Sequence, residues 1–126
     1  MQLFDPTIAA LDSALGAAGM RQQVLANNLS NVNTPGFKRS DIKFDGVLAA
    51  ALDAAESASN NPAGINALQP SVTVDNASTM RADGNNVDID SEMANLAENN
   101  VRYNALIQMT AKQMNMLEYV ISGGSR

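Results

Sequence analysis

The sequence predicts a mainly α protein: long N- and C-terminal helices paired as a coiled-coil-like hairpin, joined by an irregular middle with room for a short β-hairpin. Three observations carry this. Apolar residues recur at alternating spacings of three and four near both chain ends. The stretch between them is broken by Pro, Gly, Asn and Ser and keeps no sustained period. At 126 residues the chain is of single-domain size.

The first helix is predicted over residues 5–33. Asp5-Pro6 opens it, because Asp accepts from free backbone N–H groups and Pro is tolerated at the first helical position. Ile8, Leu11, Leu15, Ala18, Gln22, Leu25, Leu29 and Val32 then form a seam with one polar member. Gly16 and Gly19, beside Ala14, Ala17 and Ala18, fit either ordinary helix variation or the close approach of a second helix. Asn33-Thr34-Pro35-Gly36 stops the helix. Thr34 precedes proline and is pushed toward extended geometry, and Pro35-Gly36 suits the centre of a type II turn. Residues 34–45 are predicted as turn and extended segment, with Phe37, Lys38 and Arg39 leaving the turn.

Ile42 and Phe44 alternate like a strand, whereas Val47, Leu48, Ala51 and Leu52 suit a short helix. Residues 46–70 as a whole are predicted as loop and linker. Over 71–82, Ser71–Asp75 alternates as a short strand and Thr79–Arg81 is its expected return partner. The last helix is predicted over 90–122, with Asp88 or Asp90 as N-cap and Gly123-Gly124 as terminator. Its seam is Met93, Leu96, Asn100, Tyr103, Ile107, Thr110, Met114, Leu117 and Ile121. A second stripe of Leu106, Met109, Met116 and Val120 widens the apolar face, which suggests more than one neighbour.

Composition limits the core and the chemistry. Alanine supplies 20 residues, whereas Leu, Ile, Val and Phe together supply only 28. A hairpin this size cannot bury both faces of both helices, so burial is expected to be completed against partners. The chain has no Cys and no His, which removes the usual nucleophile, general base and commonest metal ligand. Ser13, Ser30 and Ser91 therefore have no histidine to activate them, and an enzyme is not expected. A calcium loop opening at Asp83 would need oxygen at its fifth position and Gly at its sixth, where Val87 and Asp88 stand. No cofactor or metal is expected. A net charge of −5 disfavours nucleic acid and anionic membrane surfaces. No run approaches a membrane span, so direct membrane insertion is not expected, and with no visible secretory leader the default compartment is cytoplasmic.

The most unusual stretch is Asn27–Arg39. Four asparagines, Asn27, Asn28, Asn31 and Asn33, are poor helix formers, yet Leu25, Leu29 and Val32 keep the helical spacing through them. Their amides are expected to bond a neighbouring helix or subunit. Among polar seam positions, Gln22 and Thr110 fit either a hydrated edge or buried register-setting groups, and Asn100 is expected to specify register in an assembled state.

The run Asn27-Asn28-Leu29-Ser30-Asn31-Val32-Asn33-Thr34-Pro35-Gly36-Phe37-Lys38 resembles the N-terminal signature shared by axial proteins of the bacterial flagellum, the rod, hook and hook-associated proteins. Long helices at both ends are typical of them. Asp83–Met93, followed by Ala97-Glu98-Asn99 and Arg102-Tyr103, is similar to the short members that build the proximal rod. The resemblance covers residues 3–45 and 80–122, and Phe37 stands where many members have tyrosine. It implies one rod-type domain over 1–126 that polymerises through its terminal helices into the periplasm-spanning drive shaft. It further implies export through the flagellar type III apparatus without a cleaved signal, which overrides the cytoplasmic default. The implied partners are copies of itself, other proximal rod subunits, the adaptor protein linking rod to the membrane-anchored ring, and the export apparatus. A stand-alone helical adaptor or export-chaperone-like binding module is the alternative.

Overall fold

A computed structural model describes residues 6–43 and 70–123, with Gly46, Ala49 and Asp53 between them. The expectations for Asp5, Phe44, residues 54–69 and most of the short helix over Val47–Leu52 lie outside the described residues. Two long helices dominate: α1 over Pro6–Ser30 and α2 over Ile89–Ile121. Strands β1 (Ser40–Ile42) and β2 (Val72–Val74) form a small antiparallel sheet between them in the chain.

The helices pack antiparallel. Asn28 of α1 meets Glu92 of α2, Ala18 and Gln22 meet Asn99, and Ala14, Ala17 and Ala18 cluster with Leu106. The buried face of α1 is Ala10, Ala14, Ala17, Ala18, Leu25 and Asn28. Leu11 and Leu15, expected on the seam itself, flank that alanine stripe and lean with Tyr103 on its sides. Small Cβ groups let the helix axes approach, and the leucines close the gap laterally. Neither Gly16 nor Gly19 makes the approach: a Cβ added to either would meet no atom within 4 Å.

On α2 the expected seam is turned by one residue. Leu96, Tyr103, Thr110 and Leu117 are half-buried as read, but the other positions facing α1 are Glu92, Asn99, Leu106 and Gln113. The expected members Met93, Ile107, Met114 and Ile121 are 52%, 43%, 49% and 82% exposed, against 9% for Leu106. Asn100 is exposed as well, and the buried amide is its neighbour Asn99. The reason is polar anchoring, described below, which outweighs apolar content. With 33 residues against 25, α2 is about 50 Å long and α1 about 37 Å, so the end of α2 outruns the described part of α1.

Helix ends follow local chemistry. Asp88, in extended conformation, caps α2 by accepting from the Asp90 N–H. Gly123, at φ 78°, follows its last turn. α1 ends three residues earlier than expected, at Ser30, whose hydroxyl donates back to the Ala26 carbonyl at 2.8 Å. Successive tight turns follow, and the Phe37 N–H donates to the Thr34 carbonyl across Pro35-Gly36, with Gly36 at φ 71°.

The sheet differs from the expected hairpin. Ser40, Asp41 and Ile42 pair with Val74, Thr73 and Val72, so β2 returns to β1 rather than to Thr79–Arg81. The carboxylate of Asp75 accepts from the Ala77 and Ser78 N–H groups and from the Ser78 hydroxyl, which turns the chain away before a second strand can form. The Asp75 N–H meanwhile donates to the Arg39 carbonyl, extending the β1–β2 ladder.

The glycines give two opposite expectations. Gly36→Ala forces a left-handed residue to carry a Cβ and should destabilise by about 1–2 kcal/mol. Gly16→Ala, helical and facing open space, should stabilise by about 0.5–1 kcal/mol. Urea midpoints of the two variants against the parent read both signs in one experiment.

Candidate assembly interface

The bend after α1 is held by side-chain amides standing in for backbone. Asn28 Nδ2 donates to the Ser40 carbonyl at 2.7 Å and to Glu92 Oε2 at 3.0 Å, while Asn28 Oδ1 accepts from the Ser40 N–H at 2.9 Å. One buried side chain thus ties α1 to β1 and to α2. Asn85 closes the end of α1: its Nδ2 lies within 3.1 Å of the Asn31 and Val32 carbonyls and 2.8 Å of the Thr34 carbonyl. These are acceptors of the kind a helix C-terminus leaves unmatched. Asn85 Oδ1 accepts from the Val87 N–H, and Arg81 adds a further donor to the Val32 carbonyl. Asn86 Oδ1 accepts from the Arg39 N–H at 2.7 Å, and its Nδ2 donates to the Asp75 carbonyl and the Ser78 hydroxyl. The Gly36 N–H donates to the Asp83 carbonyl at 2.9 Å, and the Gly36 and Gly84 turns touch.

A charged chain runs through the same place. Arg39 Nε donates to Glu92 Oε1 at 2.6 Å, and Arg39 reaches Asp41 at 3.5 Å. Arg21 grips Asp41 with two bonds of 2.8 and 3.1 Å. Burial works against the charge on Arg39, but the bond and charge of Glu92, with Asp41 beyond, hold its guanidinium above its ordinary value. Burial likewise works against the Asp41 carboxylate, yet the Arg21 bond, the Ile42 N–H and the two guanidinium charges hold it below the usual range. Asp75 is also lowered, chiefly by the Ser78 hydroxyl and N–H.

Further along α2, Asn99 Nδ2 donates to the Ala18 carbonyl at 2.9 Å and to Gln22 Oε1 at 2.8 Å, while Asn99 Oδ1 is buried with no partner. An unmatched buried acceptor costs about 1–3 kcal/mol. Thr110 returns its hydroxyl to the Leu106 carbonyl at 2.9 Å. On both sides of this inward face α2 exposes apolar side chains. Met93, Ile107, Met114 and Ile121 form one shoulder, Met109 and Met116 the other. Among the described residues no cluster of three His, Cys, Asp or Glu is placed to hold a metal, and no helix is long and apolar enough to cross a membrane.

A sequence model of the family described as "Flagella basal body rod protein" matches residues 8–38, which is α1 and the bend after it. Similarity to relatives extends over nearly the whole chain. The flagellar basal body rod protein FlgB of Bacillus subtilis is 31% identical over 128 residues, covering 98% of this chain and 99% of the relative. FlgB of Borrelia hermsii is 35% identical, covering 96% and 99%. The chain belongs to the FlgB family of flagellar basal body rod proteins. FlgB of Salmonella typhimurium is more distant, at 25% identity over 96% of each chain. The FlgB family is structural, not enzymatic, so its candidate site is a surface.

Within this FlgB-family chain the predicted interface residues separate into four groups. Leu25 and Asn28 are buried inside the chain, and Leu11, Leu15, Gln22, Leu29, Asn31, Val32, Phe37, Leu96, Tyr103 and Leu117 are half-buried. Asn27, Asn33, Pro35 and Gly36 are exposed at the bend. The shoulder from Met93 to Ile121, with Asn100, is exposed on α2. Among the described residues, Asn28 is the one asparagine of the four at the bend whose side chain makes the expected long-range bonds; Asn31 donates to the Asn27 carbonyl one turn back. Sequence reasoning missed Glu92 as the partner of Asn28, Asn85 as the partner of the Asn31, Val32 and Thr34 carbonyls, and Asn86 as the partner of the Arg39 N–H. The pairing of Asn85-Asn86 and Glu92 with the first motif, far off in the chain, was the one available signal.

Asn28→Ala should destabilise by about 3 kcal/mol, since it strands Ser40 and Glu92, whereas Asn31→Ala should stay within about 0.5 kcal/mol. Thermal unfolding of the pair measures the contrast. Asp41 and Asp75 are lowered in the fold, so their stabilisation is full above their unfolded values of about 4 and is lost as pH falls through the folded ones. The melting temperature should hold from neutrality down to about pH 4 and fall below it, less steeply in Asp41→Asn.

Proposed function

We propose that this chain is a structural subunit of the proximal rod, polymerising through α1 and α2 into the periplasm-spanning shaft that carries torque from the motor. The observation that carries the reading is the exposed apolar shoulder of α2, set at heptad spacing beside a helix pair that does not cover it. Apolar side chains at such spacing interlock with a neighbouring helix, and a subunit bounded by helices on several sides fits a tube of packed helices. Torque passes through packed side chains and needs no chemistry. The internal bend, fixed by Asn28 and Glu92, keeps the two helices stiff relative to each other while their outer faces engage neighbours.

The partners that fit this surface are copies of the same chain and other proximal rod subunits. The adaptor linking rod to the membrane-anchored ring would take one end of the stack, and the flagellar export apparatus would handle the chain before it assembles. The exposed bend residues Asn27 and Asn33 are positioned to bond such neighbours.

Ile107→Glu combined with Met114→Glu should weaken self-association by about 100-fold while leaving helix content unchanged, because both side chains are outside the intramolecular face. Analytical sedimentation across a concentration series, with circular dichroism as control and complementation of motility in a rod-deficient strain, checks this. A compact dimer that does not extend further with concentration would instead favour a stand-alone helical adaptor.

A further inference from the structure

α2 carries two competing stripes, one residue apart along the chain and therefore about 100° apart around the helix. Glu92, Asn99, Leu106 and Gln113 face α1, whereas Met93, Asn100, Ile107 and Met114 face out. Leu96, Tyr103 and Leu117 lie between the two stripes and keep their place in either setting. Apolar burial alone therefore favours the opposite choice: the outward stripe would add three large apolar residues where the inward one has a single leucine. Two polar side chains decide against it. Glu92 spends both carboxylate oxygens on Asn28 and Arg39. Asn99 spends both amide hydrogens on the Ala18 carbonyl and Gln22. Its own oxygen remains buried and unmatched, so the residue is poorly explained by stability.

We propose that Glu92 and Asn99 are rotational pins that hold α2 in the setting which keeps its apolar shoulder outward and available to a neighbouring subunit. This rests on the assembly reading above for its purpose, though not for its geometry. Glu92 fixes the start of the helix at the bend, and Asn99, two turns further on, stops the remainder from rolling inward. Without the Asn99 pin, α2 gains burial by turning Ile107 and Met114 toward the alanine stripe of α1. The monomer becomes more stable and hides the face it assembles with. Buried polar residues that set register at a cost in stability behave in this way in helix pairs.

The chain has no cysteine, so introduced pairs report helix rotation directly. Ala14→Cys with Leu106→Cys reads the present setting, and Ala14→Cys with Ile107→Cys reads the rolled one, each followed as disulfide formation under mild oxidation. In the parent sequence the first pair should link at least about fivefold faster. Adding Asn99→Leu should erase or invert that ratio, raise the melting temperature by about 5 °C and weaken self-association by about tenfold. An unchanged linking ratio overturns the proposal. So does an Asn99→Leu protein that melts lower or does not fold, because the pin is argued to cost stability. If the parent itself does not self-associate, the assembly reading fails while the linking ratio still tests the pins.

Discussion

The buried carboxylate of Glu92 is the constraint on which the rest of the structure depends. It sits in the first turn of α2, accepts from Asn28 of α1 and from Arg39 beside β1, and so joins three elements at one point. A buried charge is tolerated only when its oxygens are matched, and here both are. Once that point is set, the register of the helix pair, the direction of the chain after Ser30 and the placement of β1 follow. The Arg21–Asp41–Arg39 chain then braces β1 against α1 from the other side.

The architecture was legible because it rests on local signals. Periodicity marked both helices, Pro35-Gly36 marked the turn, and Asp88 marked the start of α2. The rotation of α2 was not legible, and its reason is specific. Period alone cannot choose between adjacent stripes, and apolar content pointed to Met93, Ile107 and Met114. The choice was made by bonds from Glu92 and Asn99 to residues 53 to 81 positions away. The strand partner of β2 was missed for the same reason: β1 lies 30 residues upstream, while the nearer Thr79–Arg81 was turned aside by Asp75. The four asparagines of residues 27–33 stand out in the sequence, but which amide reaches which backbone group depends on the fold.

The polar character of the inner face and the apolar character of the outer one belong together. A chain with few large apolar residues cannot place them both inside and outside. This one gives alanine, leucine and amide bonds to its own hairpin and leaves methionine, isoleucine and valine on the surface of α2. Methionine is flexible and adapts to partners of differing shape, which suits the assembly role proposed for this surface.

The pair of hydrogen bonds between the Asn28 amide and the Ser40 backbone has a consequence of another kind. A short strand beside a helix would ordinarily show a free donor and a free acceptor at its margin, and such margins invite pairing with strands of other chains. Asn28 presents an amide N–H and carbonyl to Ser40 in the way a third strand would. The helix thereby seals the sheet where β1 would otherwise be open, so Ser40 is shielded from pairing edge to edge with a strand of another chain.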